Sequence, residues 1–326
     1  MNARRSDRIE SVTKGAADDG IAIRVAGLTR RFGPLTAVAD LSFDVRRGEL
    51  FGLVGPDGAG KTTTLRMLAG VMRPSAGDAV IDGVSVARDQ EAVKGGLAYM
   101  PQRFGLYADL TVLENIEFYA DLFQVPKSQR GARLDRLFHF SNLGPFRDRL
   151  AGRLSGGMKQ KLALSCALIH QPRVLLLDEP TFGVDPISRR DLWLIVHEMV
   201  AEGVTVVVST AYMDEAERFD RLALLHHGRI VALDAPQVLE AAMGGVMLSV
   251  EVERVREARA LLSRLPGVRR VVLFGDRLHV TAADATSAES VGSVLRDAGL
   301  VVHEIRQVAP SLEDVFIGHI APPEAA

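Results

Sequence analysis

A chain of 326 residues, 47% hydrophobic but only 6% aromatic, is long enough for two domains and suits a Leu/Val/Ala-rich α/β core. Its formal net charge of −2 leaves no basic surplus for a nucleic-acid groove, and its one cysteine, Cys166, excludes an internal disulfide and points to a reducing compartment. No apolar stretch reaches the roughly 18 to 20 residues needed to cross a bilayer, and the Arg4, Arg5, Arg8 segment lacks the apolar core of a signal peptide, so any membrane role is expected to run through a partner.

In chain order, residues 1–19 are polar and mixed in charge, which predicts a disordered extension. Alternation over 21–25 and 39–45 predicts strands of an antiparallel layer, with Phe32 between them either a core residue or an exposed π face. The apolar run 50–54 predicts a buried strand. It leads straight into Gly55-Pro56-Asp57-Gly58-Ala59-Gly60-Lys61-Thr62-Thr63 and then a helical pattern beginning near Leu65. That is a phosphate cradle: the glycines permit turns that aim N–H groups inward, and the helix N-terminus adds positive dipole. Lys61 supplies a cation for the β and γ phosphates, and Thr62 offers its hydroxyl to Mg²⁺.

Gln102 follows Tyr99-Met100-Pro101, and after it Phe104, Leu106, Tyr107 and residues 110–115 either form a docking groove or fill the domain's own core. Residues 127–150 read as helical and charged, broken at Gly144-Pro145. Next come Leu154-Ser155-Gly156-Gly157 at the start of a helix, an apolar helical run holding Cys166, and a strand of apolar residues ending in Asp178-Glu179-Pro180. Two adjacent carboxylates at such a place are costly to desolvate without a cation nearby. Asp185 precedes a helix over 188–202, and strands over 204–209 and 221–225 complete a mainly parallel βαβ series. Beyond Met243-Gly244-Gly245 the pattern over 247–252, 255–265, 268–274, 278–282, 287–298 and 301–308 is β-α-β-β-α-β, with Gly275-Asp276 as a two-residue hairpin turn.

The order of phosphate loop, Gln102, Leu154-Ser155-Gly156-Gly157 and Leu175-Leu176-Leu177-Asp178-Glu179-Pro180 resembles the ATP-binding-cassette (ABC) transporter ATPases over roughly residues 20–243. Residues 310–317 resemble, less specifically, the C-terminal domain of ATPase subunits of daunorubicin-resistance exporters. The resemblance implies an α/β P-loop cassette over 20–243, with parallel-sheet core, antiparallel β subdomain and helical subdomain. A small α+β ferredoxin-like domain over 246–320 follows. It implies ATP held by the loop from Gly55 to Thr63 with Phe32 against adenine, and Mg²⁺ held by Thr62, Gln102 and Asp178. Catalysis is then expected from Glu179 as base with Lys61 and Gln102, completed by Ser155 and Gly157 of a second subunit, while Asp185 communicates between the two sites.

The partners so implied are a separate integral-membrane permease and a second cassette, as homodimer or heterodimer, at the cytoplasmic face of the cell membrane, with no nucleic acid. The expected function is ATP hydrolysis powering drug or multidrug export. One residue departs from the family pattern: Ala211 stands where most members carry a histidine that contacts the γ-phosphate. That departure keeps a weakly hydrolysing regulatory subunit open as an alternative. Another alternative, a soluble cassette acting on ribosomes or DNA, would need two cassettes in one chain or a long coiled coil between Lys61 and Ser155, and the chain has neither. The eight histidines form no metal spacing and are expected to be structural or exposed.

Overall fold

The alternating apolar residues at the start of the chain build β1 (Ile21–Phe32) and β2 (Leu35–Arg46), an antiparallel pair whose Ile23, Leu28, Leu41 and Val45 face one core. The computed structural model describes residues 20–283 and 287–320, so the expected disordered extension over 1–19 lies outside the described residues. β3 (Leu50–Val54) has all five residues buried, as a central parallel strand requires, and β4 (Ala76–Ile81) and β5 (Val84–Ser85) return to the first layer in the order β2-β1-β4-β5. β1 and β2 both exceed the lengths expected from alternation alone. β1 continues through Arg30 and Arg31 to Phe32, carried there by β2, whereas its pairing with β4 ends at Thr29.

Between these strands α1 (Lys61–Leu68) starts at Lys61, four residues before the expected Leu65, because Gly60 at its N-cap takes a left-handed φ of 103°. After α2 (Gln90–Lys94), the core sheet gains β6 (Leu97–Met100), and the helical part follows as α3 (Val112–Leu122), α4 (Lys127–Ser141) and α5 (Gly156–Leu168). A capping box fixes the start of α3: the Thr111 hydroxyl accepts from Glu114 N, and the Glu114 carboxylate accepts from Thr111 N. The helical stretch expected over 127–150 stops at Ser141, where Asn142 turns left-handed, and short 3-10 turns carry the chain to Ser155. α5 is buried nearly all round from Lys161 to Leu168, and Cys166 is fully buried within it.

β7 (Val174–Asp178), α6 (Pro186–Ala201), β8 (Thr205–Thr210), α7 (Met213–Ala216), β9 (Arg221–His226) and β10 (Arg229–Asp234) complete a six-stranded sheet ordered β10-β9-β3-β8-β7-β6. β3 pairs in parallel with β8 and β9, and β7 with β6 and β8. The phosphate loop and the Asp178-Glu179 pair therefore both leave the same, C-terminal, edge of one sheet, where ligands of open α/β sheets bind.

The chain divides between Leu233 and Asp234 into two units. The second holds α8 (Pro236–Ala241), β11 (Val246–Val252), α9 (Val255–Leu262), β12 (Val268–Phe274), β13 (Arg277–Ala282), α10 (Ser287–Asp297), β14 (Val302–Val308) and α11 (Leu312–Ile320). Its sheet, ordered β12-β13-β11-β14 with every pair antiparallel, is ferredoxin-like and has its own core around Leu248, Val250, Leu262, Val280 and Leu295. The Ser and Asp of the 310–317 motif cap α11. The Ser311 hydroxyl donates to Asp314 Oδ2 at 2.7 Å, while Asp314 Oδ1 meets His279 Nδ1 of β13 at 2.8 Å.

Candidate functional site

The phosphate loop bridges β3 and α1, and two of its glycines, Gly55 and Gly60, are dictated by space. A Cβ on Gly60 would fall 2.7 Å from the Ala37 carbonyl oxygen, at a φ that L-residues avoid. The first-turn N–H groups of α1 have no carbonyl one turn back to bond, so they face the cleft as donors. Lys61 is only 4% exposed. Its ammonium donates to the Gly55 and Pro56 carbonyls at 2.8 and 3.1 Å and pairs with Glu179 Oε1 at 3.1 Å. A buried ammonium needs such partners, and phosphate oxygens are an equivalent set.

Asp178, at the end of β7, is 1% exposed and collects three hydroxyl donors. Thr62 donates to its Oδ1 at 2.9 Å, Ser209 to the same oxygen at 2.7 Å, and Tyr99 to Oδ2 at 3.2 Å. Burial, and after it the Asp178 charge, pushes the Tyr99 phenol up to about 12, so it remains a donor. Glu179 follows with φ 49°, a left-handed conformation that costs a non-glycine residue about 1–2 kcal/mol. It is held there because its N–H donates to both the hydroxyl and the carbonyl of Ser209, at 3.0 and 3.1 Å. The Gln102 amide donates to Glu179 Oε2 at 3.0 Å, so each carboxylate oxygen of Glu179 has a cationic or amide partner.

These groups converge on a cleft of about 610 Å³ lined by residues 57–63 together with Phe32, Leu35, Gln102, Glu179 and His227. Phe32 is 41% exposed at its rim, with the Arg30 guanidinium 4.7 Å from its ring, so the core alternative for Phe32 fails. His227 is a lining residue that sequence reasoning missed. Its turn is tied to the phosphate loop because Gly228 N donates to the Ala59 carbonyl at 3.0 Å and the Gly228 carbonyl accepts from Ala39 N at 2.8 Å. Those bonds join distant segments, and no local pattern signals them.

The structure does not bring the Ser155 group to this cleft. Ser155 caps α5 by accepting from Met158 N, Ser155 and Gly156 are exposed, and neither Ser155 nor Gly157 lines the cleft. Gly157 lies so close to α6 that a Cβ there would meet the Ser188 hydroxyl at 2.1 Å. Asp185 caps α6 by accepting from Ser188 N at 2.9 Å, which holds its carboxyl below the usual range. After Gln102 the apolar residues split between the two expected roles. Val112 and Ile116 are buried, whereas Tyr107, Phe118, Leu122 and Phe123 are exposed, and the three rings among these join Phe104 and Tyr119 in a chain of ring contacts. Asn115 clamps the base of that patch by donating to the Tyr107, Leu110 and Thr111 carbonyls.

Residues 38–182 match the family "ABC transporter", and residues 235–320 match "ATP-binding protein DrrA1-3-like, C-terminal domain". The chain is 34% identical over 309 residues to the daunorubicin resistance ATP-binding protein DrrA2 of Streptomyces coeruleorubidus, covering 92% of this chain and 95% of that one. The chain belongs to the ABC transporter ATPases. It is also 42% identical over 300 residues to the probable multidrug ABC transporter ATP-binding protein YbhF of Escherichia coli (strain K12). That match covers 90% of this chain and 51% of YbhF, so the chain spans about half the length of that relative. Among solved structures, the ATP binding subunit of an ABC transporter superposes with a TM-score of 0.63 at 30% identity, over 68% of this chain and 93% of that one. The dimeric structure of MJ0796, a bacterial ABC transporter cassette, does so with a TM-score of 0.60 at 25% identity, over 65% and 98%.

The loop after β8 carries Ala211, at the place where the family resemblance implies a histidine. Ala211 is exposed and does not line the cleft, and its neighbours are committed elsewhere. The Thr210 hydroxyl donates to the buried Glu215 at 2.7 Å and accepts from Tyr212 N, and the Tyr212 ring lies 4.7 Å from the Arg189 guanidinium. Among the described residues no group of His, Cys, Asp and Glu is arranged to hold a metal by itself, and no helix is long and apolar enough to cross a membrane.

Proposed function

We propose that this ABC ATPase binds MgATP in the Lys61 cleft and hydrolyses it to power an exporter, acting through a separate integral-membrane permease at the cytoplasmic face of the membrane. The observation that carries this reading is that Lys61, Gln102 and Glu179 on one side and Thr62 and Asp178 on the other, from three separated stretches of chain, are joined through Ser209 into one hydrogen-bonded set beside the cleft.

ATP lays its triphosphate along residues 55–63 with adenine against Phe32. Lys61 then exchanges the two loop carbonyls and Glu179 for phosphate oxygens, and Glu179, relieved of the ammonium, becomes free to take a proton from the attacking water. Gln102 keeps that carboxylate oriented through the amide contact already present. The oxygens around Asp178 suit magnesium. Thr62 Oγ1, which donates to Asp178 Oδ1 at 2.9 Å, and the Asp178 carboxylate would offer it hard oxygen ligands. Held by Thr62 and Asp178 with Gln102 nearby, Mg²⁺ would neutralise charge developing on the phosphates.

The exposed start of α5 at Ser155 and Gly156, which does not line its own cleft, with Gly157 packed beneath it, supports a head-to-tail dimer in which each copy completes the other's site, with Asp185 beside the seam. Its first-turn N–H groups and dipole suit a phosphate. The exposed rings around Tyr107 and Phe118, close in sequence to Gln102, are the surface we assign to the permease. The first unit, through Leu233, is the engine, and the ferredoxin-like domain over 246–320 within the second unit serves assembly or transport. The names of DrrA2 and YbhF support a drug-like export substrate.

Ala211 favours one second reading, a subunit that binds ATP but turns it over slowly and relies on a histidine-bearing cassette in a heterodimer. Phosphate release by the purified full chain, alone and with a candidate second ATPase, separates the two. Turnover by the chain alone that is abolished by EDTA supports the first reading, turnover only in the mixture supports the second, and failure to bind ATP in either case overturns both.

A further inference from the structure

A second cleft, of about 530 Å³, lies away from the phosphate loop between α4, the end of α5 and the end of α6. Its volume falls in the range of small-molecule sites. Its inner wall is apolar, made by buried Leu137, Leu168 and Met199 with half-buried Phe140 and Val204. Its rim carries three guanidiniums, Arg133, Arg136 and Arg173, against the single carboxylate of Glu202.

Those guanidiniums are held in place without being neutralised as a group. Arg133 donates to the Ile169 carbonyl at 2.9 Å and to Gln129 at 2.5 Å, both uncharged partners. Arg136 pairs with Glu202 and lies 5.3 Å over the Phe140 ring, while Arg173, 72% exposed, meets Asp82 at 3.1 Å, a carboxylate it shares with Arg47. Counting Asp82 with the rim, the local balance still favours an anion, and the guanidinium fork is the group best matched to a carboxylate or sulfonate. An apolar wall under a cationic rim is complementary to a molecule with one anionic head and an apolar body.

We infer that this cleft is a binding site for an amphipathic organic monoanion, its head among the rim guanidiniums of Arg133, Arg136 and Arg173 and its apolar body against Leu137, Phe140 and Met199. Because the walls belong to α4 and α6, the ligand joins the helical part of the cassette to the core sheet's flanking helix without touching the nucleotide groups. Nothing in this site depends on whether ATP is turned over.

Isothermal titration of the full chain with decanoate tests it, with decanol as the same body lacking charge and acetate as the head alone. Decanoate is expected to bind one to one, at least tenfold more tightly than decanol and far more tightly than acetate, and saturating MgATP should leave its affinity unchanged. Arg136→Gln and, because Arg173 is largely exposed and its loss spares the fold, Arg173→Gln should each weaken decanoate at least tenfold. Equal affinity for decanol would reduce the cleft to apolar stickiness. Absence of saturable decanoate binding, displacement by MgATP, or unchanged affinity in both variants would each overturn the inference.

Discussion

Restoring an imidazole at Ala211 is the most informative single change. In this structure the neighbouring hydroxyls have other duties: Ser209 donates to Asp178 and Thr210 donates to Glu215. An alanine methyl donates nothing, so the loop after β8 offers the γ-phosphate no side-chain donor from positions 209 to 211. A missing donor aimed at developing charge typically costs about 2.7–4 kcal/mol, or roughly 10²–10³ in rate. Ala211→His is therefore expected to raise kcat by about a hundredfold, with ATP affinity changed less than about threefold, because the contact matters chiefly in the transition state. The assay is steady-state phosphate release at saturating MgATP, paired with equilibrium ATP binding. A folded variant with unchanged or lower kcat would refute the reasoning, and Tyr212 or a backbone group of the loop would then be the donor.

Other expectations follow from single contacts. Lys61→Ala should weaken MgATP binding at least tenfold in a folded chain, since it removes a buried ammonium poised among the loop carbonyls, and equilibrium binding with a fluorescent ATP analogue checks this. Phe32→Ala should weaken ATP by about tenfold if adenine stacks on the ring, at about 1–3 kcal/mol per stacked base, while a triphosphate lacking the base should be bound equally by both proteins. Burial raises the Cys166 thiol well above its ordinary value, so in the native chain at pH 8 it should react with a thiol reagent orders of magnitude more slowly than after unfolding in denaturant. Fast reaction of the native chain would place Cys166 outside the core.

The parts of this protein that announce themselves in sequence are those whose chemistry is local. The phosphate loop needs its glycines and lysine in one stretch, β7 needs consecutive apolar residues before Asp178, and the hairpin turn at Gly275-Asp276 needs its two residues side by side. What sequence did not disclose depends on pairings across the chain. β4 and β5 complete the antiparallel layer only by hydrogen bonding to β1 and to each other, and the short, partly exposed β5 has no alternation to read. The Thr62–Asp178 bond joins residues 116 positions apart, and His227 reaches the cleft only because Gly228 is fastened to Ala59 and Ala39. Helix boundaries moved where a single backbone conformation decided them, at Gly60 and Asn142. Phe32 could not be assigned from its neighbours, because core and rim differ only in which side of β1 is covered.

The central claim, that Glu179 is the proton acceptor of a cleft that hydrolyses ATP, is tested most directly by Glu179→Gln. The amide keeps the size of the side chain and removes its basicity. Light scattering and phosphate release on the same sample should show MgATP bound with undiminished affinity, turnover reduced at least a hundredfold, and an ATP-stabilised dimer that the wild-type chain forms only transiently. Phosphate release at the wild-type rate in this variant would contradict the account.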